Sequence, residues 1–455
     1  MFQLWPKSST VPPSILLAYA VSKEPKVSKH TLATSKAATL IKLAFAAGAK
    51  LSAAFIAFGL TALVTRNMPN DEAGLFLLGF SLLTVLSVIF RLGLDNVVLR
   101  FLSAHGTDAF AQEKFNRGLL WIATLSVPAT IVGMLTSDLI ATHIFNKPAF
   151  GPVLFWMLPA LPAMAIFFLI AQAFQSQHRV VVTTIFQNLG ISTVFILGFG
   201  YLLCEQPQAL NSITVAQIYG GAALIIFVSS VIAWFGQHDI SFRVLGYKDH
   251  ELIVASANLW GASVMALVTV WAGVLIAGSM VPVEELARLS AAQRTANLTS
   301  FILIIVNMVA APRYARMWSE GDIQGIERLA KWSTRGMICM VTPVILFMLF
   351  LPEKIMAVFG KGFEQAGILL AIMAIGQFIN VATGSVGYLL NMSGHERDFR
   401  RVTQFSGPLT IICALIFIYL WGVTGAAIAT AVGVGVQNLM AMAMVKRKLG
   451  FWPIC

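Results

Sequence analysis

Two cations sit deep inside apolar segments. Lys50 lies within the apolar run 39–64, and Arg294 lies ten residues into the run 284–311, ~15 Å from its outer end at 1.5 Å per residue. A charge at such depth costs about 2.5–3.5 kcal/mol on insertion scales, so each needs a wet cavity or a partner. No carboxylate lies at the middle of any apolar run to supply one; Asp95, Glu284, Glu285 and Glu364 are all near run ends. The chemistry that remains is capture of an anion where water is scarce and Coulomb attraction is strong. Lys42 precedes Lys50 by eight residues, which places the two ~80° apart on one broad helical face. It can join that cavity or snorkel to the inner surface.

Polar side chains accompany these cations. Around Arg294, the residues Ser290, Gln293, Asn297 and Ser300 recur at helical spacing and make one polar stripe. Gln377, Asn380 and Asn391 make a second stripe in the run 364–391. Such amides either touch substrate or bridge packed helices; both readings stay open for Gln293, Asn297, Gln377 and Asn380. Arg91, Asp95 and Arg100 cluster at the inner end of the second run, with Arg91 and Asp95 one turn apart and able to pair. They either anchor a helix end or gate the entry of an anionic head group. Arg316 stands 216 positions after Arg100 and carries the same two readings.

That offset recurs. Ser103 meets Ser319 at 216, Asp108 meets Asp322 at 214, Pro128 meets Pro343 at 215, and Ser176 and His178 meet Ser393 and His395 at 217. Matches in order near one offset are the mark of a duplicated unit. The elements that position the cations are therefore two copies of one helical set. Twelve apolar runs are near the ~20 residues a spanning helix needs: 39–64, 73–99, 117–137, 151–174, 180–204, 212–235, 252–278, 284–311, 334–351, 364–391, 402–421 and 424–445. The expected fold is an all-α polytopic membrane protein of two six-helix lobes, 38–236 and 252–446. A linker at 237–251 joins them, and tails at 1–37 and 447–455 flank them.

Composition agrees. Of 455 residues, 58% are hydrophobic and 11% charged, against about 25% charged in soluble proteins. The net charge of +11 belongs to basic inner loops rather than to a nucleic-acid surface. With the amino terminus inside, tails and inner loops hold 23 of 31 Lys and Arg. Outer loops hold five: Arg66, Lys147, Arg288, Lys354 and Lys361. That asymmetry places both ends in the cytoplasm. The segment 15–20, Ile-Leu-Leu-Ala-Tyr-Ala, is short for a signal-peptide core and follows Pro12-Pro13, so a cytoplasmic tail is the better reading. The four cysteines form no CxxC pair, no HExxH or Gly-Lys-Ser/Thr loop occurs, and no soluble domain is present. Catalysis, ATP hydrolysis, metals and cofactors are not expected.

Gly74-Leu-Phe-Leu-Leu-Gly-Phe80 and Arg91-Leu-Gly-Leu-Asp95 resemble the polysaccharide-transport branch of the multidrug/oligosaccharidyl-lipid/polysaccharide (MATE/MOP-like) flippase superfamily. So do Ala291-Ala-Gln-Arg294, Ala311-Pro-Arg-Tyr-Ala-Arg316, Phe359-Gly-Lys-Gly-Phe363 and Leu390-Asn-Met-Ser-Gly-His-Glu396. The resemblance covers residues 38–446 and implies a V-shaped pair of lobes that opens alternately to either side. It implies a bacterial inner-membrane protein that moves an undecaprenyl-diphosphate-linked oligosaccharide for surface polysaccharide. It also implies basic residues of helices 1, 2 and 8 lining the cavity, where Lys42, Lys50, Arg91 and Arg294 fall. Its partners would be the lipid-linked glycan, membrane lipids, a glycan polymerase and a chain-length regulator. Two other readings compete. A cation-coupled small-molecule exporter of the same fold wants a mid-span acidic residue, which this chain lacks. An integral-membrane glycan polymerase or acyl transferase wants convergent catalytic groups or a large outer loop, and neither is visible. Neighbouring genes for glycosyltransferases would favour the flippase.

Overall fold

The computed structural model describes residues 29–105, 109–177, 179–237 and 250–454. The chain forms two units, Met1–Ala47 and Gly48–Cys455. Of the first, residues 29–47 are helical; all contacts below belong to the second. The amino-terminal tail up to residue 28, most of the expected linker (238–249), and the side chains of Lys42 and Arg100 lie outside the described residues.

The labelled helices are α1 (Lys29–Asn67), α2 (Asn70–Phe90), α3 (Leu94–His105), α4 (Ala109–Leu135), α5 (Phe150–Met157), α6 (Ala160–Ser176), α7 (Gly190–Glu205), α8 (Ser212–Phe235), α9 (His250–Met280), α10 (Val283–Asn297), α11 (Ser300–Ser319), α12 (Ile323–Phe350), α13 (Gly367–Ala382), α14 (Val386–Met392) and α15 (Glu396–Leu449). Short helical turns between them are unlabelled, and no strand occurs among the described residues. Among the described residues, ten helical segments, or eleven if a pair bent by 53° around residues 187–190 is one span, are long and apolar enough to cross a membrane.

The longest segment resolves into two. As one rod, the 54 residues of α15 would run ~81 Å, far beyond the ~30 Å hydrocarbon core. The backbone leaves the helical region at Gly422 (φ 57°, ψ −135°). Beyond it the chain doubles back: Gly425 packs on the Phe417 carbonyl and Gly433 on Thr410. Ser406 Oγ bonds Gln437 Oε1 at 3.1 Å, and Lys448 Nζ reaches Asp398 at 3.0 Å. Each pair is centred on residues 421–423, so the two arms are antiparallel and match the separate runs expected at 402–421 and 424–445.

The halves of the chain meet along α2, which packs on both α9 and α10. Close approach needs a residue without a side chain at Gly74, whose α-carbon faces the Val283 carbonyl at the start of α10. In the first half an aromatic core fills the space between helices. Trp234 packs on Phe115 and Phe174 with centroids 5.0 and 5.1 Å away, and Phe76 stacks on Phe195 at 5.6 Å. Rings of this size supply large buried area and a defined edge-to-face geometry.

Candidate functional site

Arg294 is carried by the last turn of α10, facing α1 and α2 across the junction of the halves. Its Nη1–H donates to Thr61 Oγ1 at 3.0 Å, and its Cζ lies 4.0 Å from the centroid of the Phe80 ring. A desolvated cation over an aromatic face gains up to about 2 kcal/mol, which offsets part of the burial cost. Tyr219, 2% exposed, packs edge-on to Phe80 at 5.4 Å and closes the other side. No carboxylate pairs with Arg294 among the described residues. Its Nε and Nη2 are buried and make no hydrogen bond. Of the five donors of a guanidinium, three are idle, and they are the fork that suits a phosphate or carboxylate.

Lys50 is half-buried on α1, and it forms no hydrogen bond or ion pair with the described residues. Eleven residues separate it from Thr61, which is three turns plus ~20°. Lys50 and Thr61 therefore share one face of α1, with ~16 Å between their levels. Lys50 and the Thr61 that meets Arg294 are thus stacked along α1 rather than set side by side.

The amides have a different fate. Ser300 Oγ donates to Gln377 Oε1 at 2.8 Å, Gln377 Nε2 donates to Asn297 Oδ1 at 2.9 Å, and Asn380 Nδ2 donates to Gln377 Oε1 at 3.0 Å. Gln293 Nε2 donates to the Val270 carbonyl of α9 at 2.6 Å. These bonds tie α9, α10, α11 and α13 together. Gln377→Leu removes three hydrogen bonds, each worth about 0.6 kcal/mol in a membrane protein. We expect a lower melting temperature in detergent with transport retained; lost transport at unchanged stability would return the amides to the substrate path.

At the other end of α2, Arg91 Nη1 pairs with Asp95 Oδ2 at 2.8 Å, and its guanidinium lies 4.5 Å from the Phe168 ring. Between Arg91 and Asp95 the chain turns through Leu92 (φ 54°) and Gly93 (φ 71°). A left-handed leucine stores about 1–3 kcal/mol, and α9 holds it in place. Trp260 Nε1 donates to the Ile89 carbonyl at 2.8 Å, and Ser256 Oγ donates to the Leu92 carbonyl. A methyl group on Gly93 would stand 2.6 Å from the Trp260 nitrogen. Arg316 is exposed and pairs with Glu320 at 2.8 Å.

The sequence pointed to Arg294, Arg91 and Asp95 but not to Thr61, Phe80, Tyr219, Ser256 or Trp260. Gly93, inside an apolar run and between two paired charges, was the one signal that another backbone comes close there.

A sequence model described as "Polysaccharide biosynthesis protein" matches residues 41–318, more than half of the chain. The chain belongs to the polysaccharide biosynthesis protein family. A second model, MatE, matches residues 262–416. An uncharacterized membrane protein of Methanocaldococcus jannaschii, MJ1068, is 23% identical over 417 residues, 84% of this chain and 78% of that protein. The probable low-salt glycan biosynthesis flippase Agl15 of Haloferax volcanii is 28% identical over 174 residues; the match spans 37% of this chain and 36% of Agl15. The lipid II flippase MurJ in an inward closed conformation superposes with a TM-score of 0.74 at 11% identity, over 88% of this chain and 87% of that one. That likeness shows the fold. Family membership, the apolar helices and the shared fold make the chain a multi-pass membrane protein of the same superfamily as these proteins.

Proposed function

We propose that this chain flips a polyprenyl-diphosphate-linked oligosaccharide across the cytoplasmic membrane, for assembly of a surface polysaccharide, by alternating access between two six-helix lobes, 38–236 and 252–446. The observation that carries the reading is Arg294, a buried guanidinium at the junction of the halves with three idle donors and no carboxylate. A diphosphate supplies the missing acceptors. Family membership and the glycan-flippase relative support the substrate class.

In this reading Lys50 attracts the head group at the cytoplasmic mouth, a role that Lys42 shares on the sequence alone. Arg294 holds it at mid-depth, where duplicated transporters keep their substrates. Gln293, Asn297, Gln377 and Asn380 keep the second lobe rigid. The turn between Arg91 and Asp95 forms the inner gate against α9, Arg100 is assigned to that gate from its place in the sequence alone, and Arg316 anchors the matching surface of the second lobe. A polymerase and a chain-length regulator would take the product on the far side. A deletion strain should accumulate lipid-linked oligosaccharide on the cytoplasmic leaflet and lose the surface glycan.

The match to MatE over 262–416 favours a second reading, a cation-coupled exporter of small molecules. It lacks a mid-span carboxylate to couple a cation. Normal glycan with raised dye sensitivity in the deletion strain would select it.

Twelve crossings with both ends in the cytoplasm complete the proposal. In a chain whose own cysteines are replaced, Ser319→Cys should be labelled only from the cytoplasm and Ala149→Cys only from outside. Both positions are exposed, whereas Ser393 is buried and unsuitable. Labelling of Ser319→Cys by an impermeant reagent in intact cells would overturn this topology.

A further inference from the structure

Five of the 31 Lys and Arg belong to the loops expected on the side opposite the basic ones, and three of those five converge on one place. The end of α1 and the start of α2 face the loop Phe359-Gly-Lys-Gly-Phe363 of the second half across a hollow of about 420 Å³. Thr65, Arg66, Asn70, Gly360, Lys361 and Glu364 line it. The loop depends on two left-handed glycines, Gly360 (φ 117°) and Gly362 (φ 84°). Asn70 Nδ2 donates to the Lys361 carbonyl at 3.4 Å, joining the halves. Arg288, from α10, leans on the same loop: a methyl group placed on Gly362 would lie 3.6 Å from its Nη2. Its Nε is buried without a hydrogen bond. Glu364, the one acid in the lining, already accepts the Gly362 N–H at 2.8 Å. None of Arg66, Arg288 and Lys361 forms an ion pair with the described residues.

We propose that this hollow is a second anion subsite, which receives the phosphate of the head group on its way out. Arg66 lies five residues beyond Thr61 on α1, so the step from the Arg294 level is ~7.5 Å. Lys50, Arg294 and the Arg66–Lys361–Arg288 cluster then form three rungs along one helix. Because the outer rung joins both halves, an anion there strengthens their contact at this end, and its departure loosens it. The identity of the ligand rests on the flippase reading; the anion site does not.

The test uses the full chain in phosphatidylcholine nanodiscs with inorganic pyrophosphate as the probe. A water-soluble succinimidyl ester acylates lysines, and mass spectrometry reads each site. Pyrophosphate should suppress most acylation of Lys361 and leave exposed Lys354, at the same end, unchanged. Arg66→Gln and Arg288→Gln should each abolish that protection. Arg294→Gln should keep it, so failure of the central site and failure of this one are read separately. No protection of Lys361, or protection undiminished in both outer variants, overturns the subsite. Protection by phosphatidylglycerol nanodiscs that pyrophosphate cannot displace assigns the site to bilayer lipid and overturns the exit role.

Discussion

Arg294→Ala should abolish surface glycan in a complementation assay while protein level and membrane insertion stay at wild-type values. The residue meets only one hydroxyl and one ring face, so alanine forfeits about 2 kcal/mol of cation–π attraction and removes an insertion penalty of about 2.5–3.5 kcal/mol. Stability should therefore change little. What disappears is the cation at the junction of the halves, and with it the acceptor-seeking fork. Arg294→Lys keeps the charge but loses bidentate geometry, so partial function is expected. Lys50→Ala should lower transport as well, because Lys50 shares the face of α1 that carries Thr61. Full complementation by both alanine variants would remove the anion path. Failure through loss of the protein would make the two residues structural.

Gly93→Ala should block transport by a different route. The new methyl stands 2.6 Å from the Trp260 nitrogen and 2.8 Å from the Ser256 carbonyl oxygen, and neither backbone atom can swing aside as a side chain tip would. The α2–α9 contact then opens, and the turn at Leu92 loses the bonds from Trp260 and Ser256 that offset its strain. Insertion and level should stay normal. Cysteines placed around the contact should become more reactive from the cytoplasm, and flipping should fall at least tenfold, a change of about 1.4 kcal/mol in barrier height. Trp260→Phe removes one donor of about 1 kcal/mol and should produce a milder form of the same phenotype. A Gly93→Ala protein that flips at the wild-type rate would show that the contact is packing and not a gate.

Much of this architecture was legible in the chain. Apolar length exposed the spans, and the separate runs at 402–421 and 424–445 anticipated a turn that the backbone makes at Gly422. Arg294 stood out because a charge in lipid is expensive wherever it sits. Its surroundings were not legible. Thr61, Phe80 and Tyr219 are single common residues on three other helices, and only packing brings them to one guanidinium. The polar stripe on α10 and α11 divides between two directions. Helical spacing puts Gln293, Arg294 and Asn297 near one face, but the amides bond within the second half, while the longer arginine crosses to the first. The closeness of Gly93 to α9 is a tertiary fact, which the sequence marked only by a glycine between paired charges.

Flipping in reconstituted vesicles tests the central claim most directly. A polyprenyl-diphosphate-linked oligosaccharide with a fluorescent sugar is distributed over both leaflets, and an impermeant glycosidase digests whatever reaches the outer face. With the wild-type chain the protected inner pool should drain, and with Arg294→Gln it should remain near half, as in protein-free vesicles. A pool that stays protected with the wild-type chain, or one that drains equally fast with Arg294→Gln, would contradict the assignment of this chain as a flippase that holds its substrate's diphosphate at Arg294.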